Sequence, residues 1–218
     1  MAVYAIGDLH LSFQVNKPMD VFGKKWTDYE KSIQQSWSEQ VSDNDVVIIP
    51  GDFSWATYLN QAISDFSFIN QLPGRKIILK GNHDYWWETV SKMNHFLDEN
   101  NFHNIEFLFN NSIELDDCVI CGTKGYSFDE TDEKMINREI ERFKISLKSI
   151  KNKEKDIIAV FHFPPMHSDI YMNLIEEHMI KKVIYGHIHG EKTKEMRDDD
   201  VFNLVSADFL YFNVRKIY

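Results

Sequence analysis

Cysteine is nearly absent from this chain, with only Cys118 and Cys121 among 218 residues. That excludes a disulfide framework and points to a reducing compartment, so the expected location is cytoplasmic. The C-x-x-C spacing of CVIC makes no zinc site either. Residues three apart on a strand face opposite sides, and there is no second pair to complete a ligand set. Positive charge is also short: 24 lysines and arginines stand against 34 aspartates and glutamates, a formal net charge of −10. Such a chain has no basic footprint for long nucleic acid or an anionic membrane. Bound metal ions can still reverse the sign locally. No apolar run approaches the ~18 residues of a spanning helix. MAVYAIGDLH has neither a basic n-region nor a long apolar core, so no signal peptide is expected. Repeats, low-complexity linkers and composition breaks are missing too, and residues 1–218 are expected to form one domain.

What is present is a strongly apolar chain, 43% hydrophobic, in which strand and helix patterns alternate. VYAI, DVVIIP, RKIILK, DIIAVFH and KVIYGH read as buried strands. Residues 27–42 open with a Thr-x-x-Glu capping box and place Tyr29, Ile33, Trp37 and Val41 on one helical stripe. Further helices are expected around Leu59–Phe66, Val90–Leu97, Asp132–Lys151 and 171–180. IEFLF, SIEL and CVICG read as consecutive strands with tight turns, and FNLVSA and LYFNV as closing strands. The Asp198–Asp200 run is a solvated turn. The expected class is α/β.

The informative residues lie just past the end of each apolar strand. Asp8 and His10 come after VYAI, and Asp52 after DVVIIP. Asn82, His83 and Asp84 succeed KIILK, His162 succeeds IIAVF, and His187 and His189 succeed KVIY. In open α/β sheets, ligands bind beyond the carboxyl ends of strands. Asp8-x-His10 and His187-x-His189 repeat at i, i+2, which on extended backbone sends both side chains the same way. Aspartate, histidine and one amide oxygen make a donor set suited to manganese, iron, zinc, cobalt or nickel.

In this order, D-x-H (8–10), G-D (51–52), G-N-H-D (81–84), a lone histidine (162) and G-H-x-H (186–189) resemble the signature of the calcineurin-like metallophosphoesterases. The resemblance spans nearly the whole chain. It implies a four-layer α/β/β/α sandwich of two mixed β-sheets flanked by helices, with a two-metal site, manganese or iron first among the candidate ions. By position, Asp8, His10 and His189 would hold one ion, and Asn82, His162 and His187 the other, with Asp52 as the bridge. His83 would contact the phosphoryl group or the leaving oxygen, with Asp84 orienting it.

The activity implied is hydrolysis of a small soluble phosphodiester or phosphomonoester by in-line attack of a metal-bridging hydroxide. The alternative is a catalytically inactive scaffold of the same fold. The resembling protein phosphatases extend the second motif as G-D-x-V-D-R-G, whereas this chain has GDFSWA and no such arginine. Three rim features stay open between function and packing. Residues 11–26 are either a lid or a plain surface connection. Tyr85, Trp86 and Trp87 either stack on a leaving group or belong to the core. Residues 122–131, with Lys124 and Tyr126, form either a further rim or a plain loop, and His167 follows HFPPM closely enough to stand near the site. No role falls to His95, His103 or His178.

Overall fold

Strands that are apolar on every residue have to be covered on both faces. The computed structural model, which describes residues 1–218, does this with two sheets stacked between helices. β1 (Val3–Ala5), β2 (Val46–Ile49), β3 (Arg75–Leu79) and β4 (Ile105–Leu108) run parallel in that order. β10 (Arg215–Lys216) closes the β1 edge antiparallel. The second sheet mirrors this plan. β5 (Ile113–Glu114) is antiparallel to β6 (Cys118–Thr123), and β7 (Asp156–Phe161), β8 (Lys182–Tyr185) and β9 (Phe202–Leu204) continue parallel to β6.

The period of two along each strand sorts the side chains. Val46, Ile48 and Ile77 face the second sheet, where Ile120, Ile158 and Ile184 meet them. Val47, Ile49 and Ile78 face outward. They pack under α1 (Tyr29–Gln40), α2 (Ile63–Asn70) and α3 (Val90–Glu99), whose apolar stripes supply Ile33, Trp37, Phe66 and Met93. α4 (Glu133–Lys148) and α5 (Asp169–Glu177) cover the other outer face through Phe143, Leu147 and Tyr171. The result is the four-layer α/β/β/α sandwich. Cys118 points into the inter-sheet core and Cys121 into the helix-covered one, and both are free. No helix is long and apolar enough to cross a membrane.

Three local expectations are corrected. The Thr27 capping box does not form: Asp28 precedes α1 in the left-handed region at φ 54° without a side-chain cap bond, and its carboxylate takes the Lys31 ammonium instead. IEFLF and SIEL are not neighbours, because the chain leaves the first sheet after β4 and enters the second at β5. Residues 210–214 form a turn rather than a strand. Tyr211 and Phe212 have φ of 51° and 61°, and Phe212 packs edge-on to Trp26.

Candidate metal centre

The two sheets are joined where β1 and β9 end. The Gly7 amide donates to Val205, and the Ala207 amide donates back to Gly7. Beyond this seam the chain turns sharply four times at polar residues. Asp8, His10, Asp52 and His187 all have positive φ, between 48° and 73°. Non-glycine residues rarely hold this conformation, and where they do it clusters at functional sites. Backbone bonds hold the turns: the Asp8 amide donates to Gly51 at 3.0 Å, the His10 amide to Asp52 at 2.9 Å, and the His187 amide to both Asp8 oxygens at 2.9 and 3.1 Å.

Two groups of donors result. Asp8, His10 and His189 form one, and Asp52, His162 and His187 the other. Each draws on both sheets. Asp52 faces both groups: its Oδ2 lies 3.8 Å from His10 Nε2, and its Oδ1 lies 3.6 Å from His162 Nε2. Asn82 joins the second group, with Oδ1 2.6 Å from His162 Nε2.

Tautomers are set by the other ring nitrogens. His162 Nδ1 faces the Pro50 carbonyl at 3.1 Å, and a carbonyl can only accept, so Nδ1 carries the proton and Nε2 the lone pair. Three acceptors therefore converge: His162 Nε2, Asn82 Oδ1 and Asp52 Oδ1. His189 is fixed the same way, with Nδ1 donating to Asp208 Oδ1 at 2.7 Å and Nε2 left 3.9 Å from Asp8 Oδ1. His10 Nδ1 is buried without any partner. Converging lone pairs at 3.6–3.9 Å are too far apart for hydrogen bonds and suit ligands grouped around a cation.

The electrostatics agree. Burial, and then the charges of Asp84 and Asp8, hold the Asp52 carboxyl well above the carboxylate range. Burial raises Asp8 as well, against the pull of His189. Burial and neighbouring imidazoles push His10 and His162 far below the usual histidine value and His187 down to about 4. Only His189 is raised: burial lowers it, but the Asp208 hydrogen bond and the Asp8 and Asp208 charges prevail. Two buried carboxyl groups thus stand among imidazoles of which His10, His162 and His187 resist protonation, an arrangement that divalent cations would neutralise.

Close approach here depends on absent side chains. A Cβ on Gly186 would sit 2.5 Å from Asp8 Oδ2. Gly186→Ala is expected to displace Asp8, costing ~1–3 kcal/mol and weakening one ion more than the other. Thermal melts and metal titration of the variant check this, and an unchanged Asp8 group would leave both readings at wild-type values.

Of the remaining expected site residues, His83 stands beside the centre. Its ring lies 5.9 Å from that of His10 and 4.7 Å from Trp55, its amide donates to Asp52 Oδ1 at 2.8 Å, and its Nδ1 has no partner. Burial lowers its pKa, followed by His189 and Lys17. Asp84 does not support the His83 ring as expected. Its oxygens accept from the amides of Asp52, Phe53, Ser54 and Gly81 and from the Trp86 indole. It therefore clamps the Asp52 turn, and burial pushes its carboxyl up to about 6 against those bonds.

Trp86 belongs to the core, and Tyr85 is exposed beside His83. Residues 11–26 form a wall: Met19, Phe22, Lys25 and Trp26 line a cleft of about 380 Å³ together with Trp55, His83 and the imidazoles. Tyr126 is buried and carries His167 edge-on, away from that cleft. Lys124 contributes through its carbonyl, which accepts from the His162 and Phe163 amides. Sequence reasoning passed over Asp208 and Trp55, which stacks on His10 at 4.7 Å. Asp208 had a signal: it comes just after the apolar strand FNLVSA, as the other site residues come after theirs.

The model of the calcineurin-like phosphoesterase family matches residues 1–191. No curated protein matches the chain. Among solved structures, phosphopantetheinyl hydrolase from Mycobacterium tuberculosis superposes with a TM-score of 0.59 at 12% identity, covering 99% of this chain and 95% of its own. A protein of unknown function from Aquifex aeolicus does so at 0.54 and 16%, with the same coverage. At these identities the likeness speaks for the fold alone. The family match covers seven-eighths of the chain and includes every residue of the two donor groups, so the chain belongs to the calcineurin-like phosphoesterases.

Proposed function

We propose that residues 1–218 form one cytoplasmic domain that hydrolyses a small soluble phosphate monoester or diester at a dinuclear metal centre. The observation that carries this reading is Asp52, whose two oxygens address separate histidine groups as a bridge between two ions must. Asp8, His10 and His189 hold one ion, and Asn82, His162 and His187 the other. The donor set of imidazole, carboxylate and amide without thiolate suits manganese, iron, zinc, cobalt or nickel, manganese or iron first. When bound, the pair would supply a nucleophile at neutral pH and neutralise phosphoryl charge.

The rest falls to the chain. Trp55 and Trp26 wall one side of the site. His83, whose side chain lines the cleft, hydrogen-bonds the oxygen that leaves phosphorus. Asp84 fixes the turn that aims Asp52. A cleft near 380 Å³ is of small-molecule size, and a net charge of −10 disfavours a long polyanion.

The test is hydrolysis of paired chromogenic mono- and diesters by metal-stripped protein, reloaded in turn with manganese, iron, nickel and zinc. Turnover is expected only after reloading, and the diester-to-monoester ratio assigns the substrate class. Two ions bound per chain with no hydrolysis of any ester would favour the scaffold reading instead.

A further inference from the structure

Asp208 lies beyond the residues matched by the family model, yet it is one of the most fully used side chains at the centre. It comes shortly after β9, and its side chain is only 2% exposed. Oδ1 accepts from His189 Nδ1 at 2.7 Å. Oδ2 accepts from the Gly190 amide at 3.1 Å and from the Lys25 ammonium at 2.5 Å. The first bond fixes the tautomer of a donor in the Asp8–His10–His189 group. The last reaches across to the 11–26 wall, where Lys25 is the residue before Trp26. The Trp26 ring lies 6.2 Å from that of His189 and 6.4 Å from that of His10.

Lys25 has a definite electrostatic task. Asp8, Asp52 and Asp208 are all buried beside one another, and a third carboxylate without a counter-charge would be costly there. Lys25 supplies the counter-charge on Oδ2, which leaves Oδ1 to hold the His189 ring, and without Lys25 the wall would lose its only ion pair to the centre.

We propose that Asp208 is a positioning residue that presents His189 Nε2 to the ion of the Asp8 group and, through Lys25, couples occupancy of that ion to the seating of residues 12–26 over the cleft. This rests on the metal-centre reading above. Coupling of this kind is reciprocal: the ion orders the wall, and the wall tightens the ion.

The test uses the full chain, stripped of metal and titrated with Mn²⁺ alone by calorimetry, as wild type, Asp208→Asn, Lys25→Met and the double variant. Hydrogen exchange over residues 12–26 is monitored with and without Mn²⁺. Wild type is expected to bind two ions and to slow exchange in that segment when loaded. Asp208→Asn should weaken one ion about 10–100-fold, the usual effect of removing a partner behind a metal-bound histidine, and leave the other near wild type. Lys25→Met should weaken the same ion about 5-fold or more and abolish the metal-dependent slowing. In the double variant the Lys25 change should add nothing, because its route runs through Asp208.

Wild-type affinity for both ions in Asp208→Asn would overturn the positioning role. Lys25→Met with unchanged affinity, or with exchange that still slows on loading, would overturn the coupling. Lys25 is exposed, so its variant carries the test if Asp208→Asn does not fold. If the wild type itself binds no ion, the metal-centre reading falls together with this one, whereas two ions bound alike by every variant removes only this one.

Discussion

Asp52→Asn is expected to lower metal affinity by more than about 100-fold, since even a partner behind a ligand is worth 10–100-fold, and to raise the melting temperature of the metal-free protein. The two effects have one cause. Asp52 is 1% exposed, and its carboxyl is held well above the ordinary range by burial and by Asp84 and Asp8. A folded-state pKa above the unfolded value means that the contribution to stability is full below about pH 4 and is lost as pH rises through the folded value. At neutral pH the unfolded chain ionises this carboxyl freely while the folded chain disfavours the anion, so the group opposes folding of the metal-free chain, and an uncharged amide of the same shape removes the penalty. The gain should read as a few degrees, at ~2–4 °C per kcal/mol for a chain of this length. It should vanish below about pH 4, where the wild-type carboxyl is protonated in both states. In the metal-loaded protein the order reverses, and hydrolysis is lost. Melting curves at two pH values, with and without metal, check all four combinations. A metal-free variant less stable than wild type at pH 7 would mean that Asp52 serves the fold rather than the ions.

His83→Ala is expected to cut turnover by ~10²–10⁴-fold on an ester with a poor leaving group, the usual worth of a positioned proton donor, while two ions still bind. The loss should shrink sharply for a nitrophenyl ester, whose leaving oxygen needs no proton. The geometry gives the reason for this split. His83 reaches the centre through its backbone, donating its amide to Asp52 Oδ1, so alanine keeps that bond and removes only the ring. The ring is held between Trp55 and Tyr85 with Nδ1 unpartnered. Comparing kcat for alkyl and nitrophenyl esters in the same variant decides the matter, because equal losses on both would assign His83 to binding rather than proton donation.

The residues of both donor groups were legible in the sequence because they obey a local rule, while their division into two groups came with the family resemblance. Each ligand sits within a few residues of an apolar strand end, but the i, i+2 argument assumed extended backbone, whereas Asp8, His10 and His187 are left-handed and His187 and His189 serve different groups. The α/β class was legible in continuous apolar strands and the amphipathic stripes of α1 and α4, while the four layers came with the family resemblance. What resisted reading depends on distant backbone. Asp84 stands directly after His83, which suggested a pair, but its carboxylate is claimed by amides of residues 52–54 that lie some thirty positions away in the chain. Asp208 works through Lys25, at a separation of 183 residues. The sheet of each strand also depended on pairing: nothing in IEFLF or SIEL reveals that the chain changes sheets between them. LYFNV has strand composition, yet left-handed residues at Tyr211 and Phe212 make it a turn that seats Phe212 against Trp26.

Each donor group takes ligands from both sheets, and the chain contains no disulfide. Bound ions would therefore act as reversible rivets through the seam between the two halves of the sandwich. A covalent rivet has a fixed strength, but these would strengthen with supply, adding about 1.4 kcal/mol for every tenfold rise in free metal above the dissociation constant. The stability of this protein would then track the availability of its metal, so that starvation for the ion would loosen the seam as well as stop the activity.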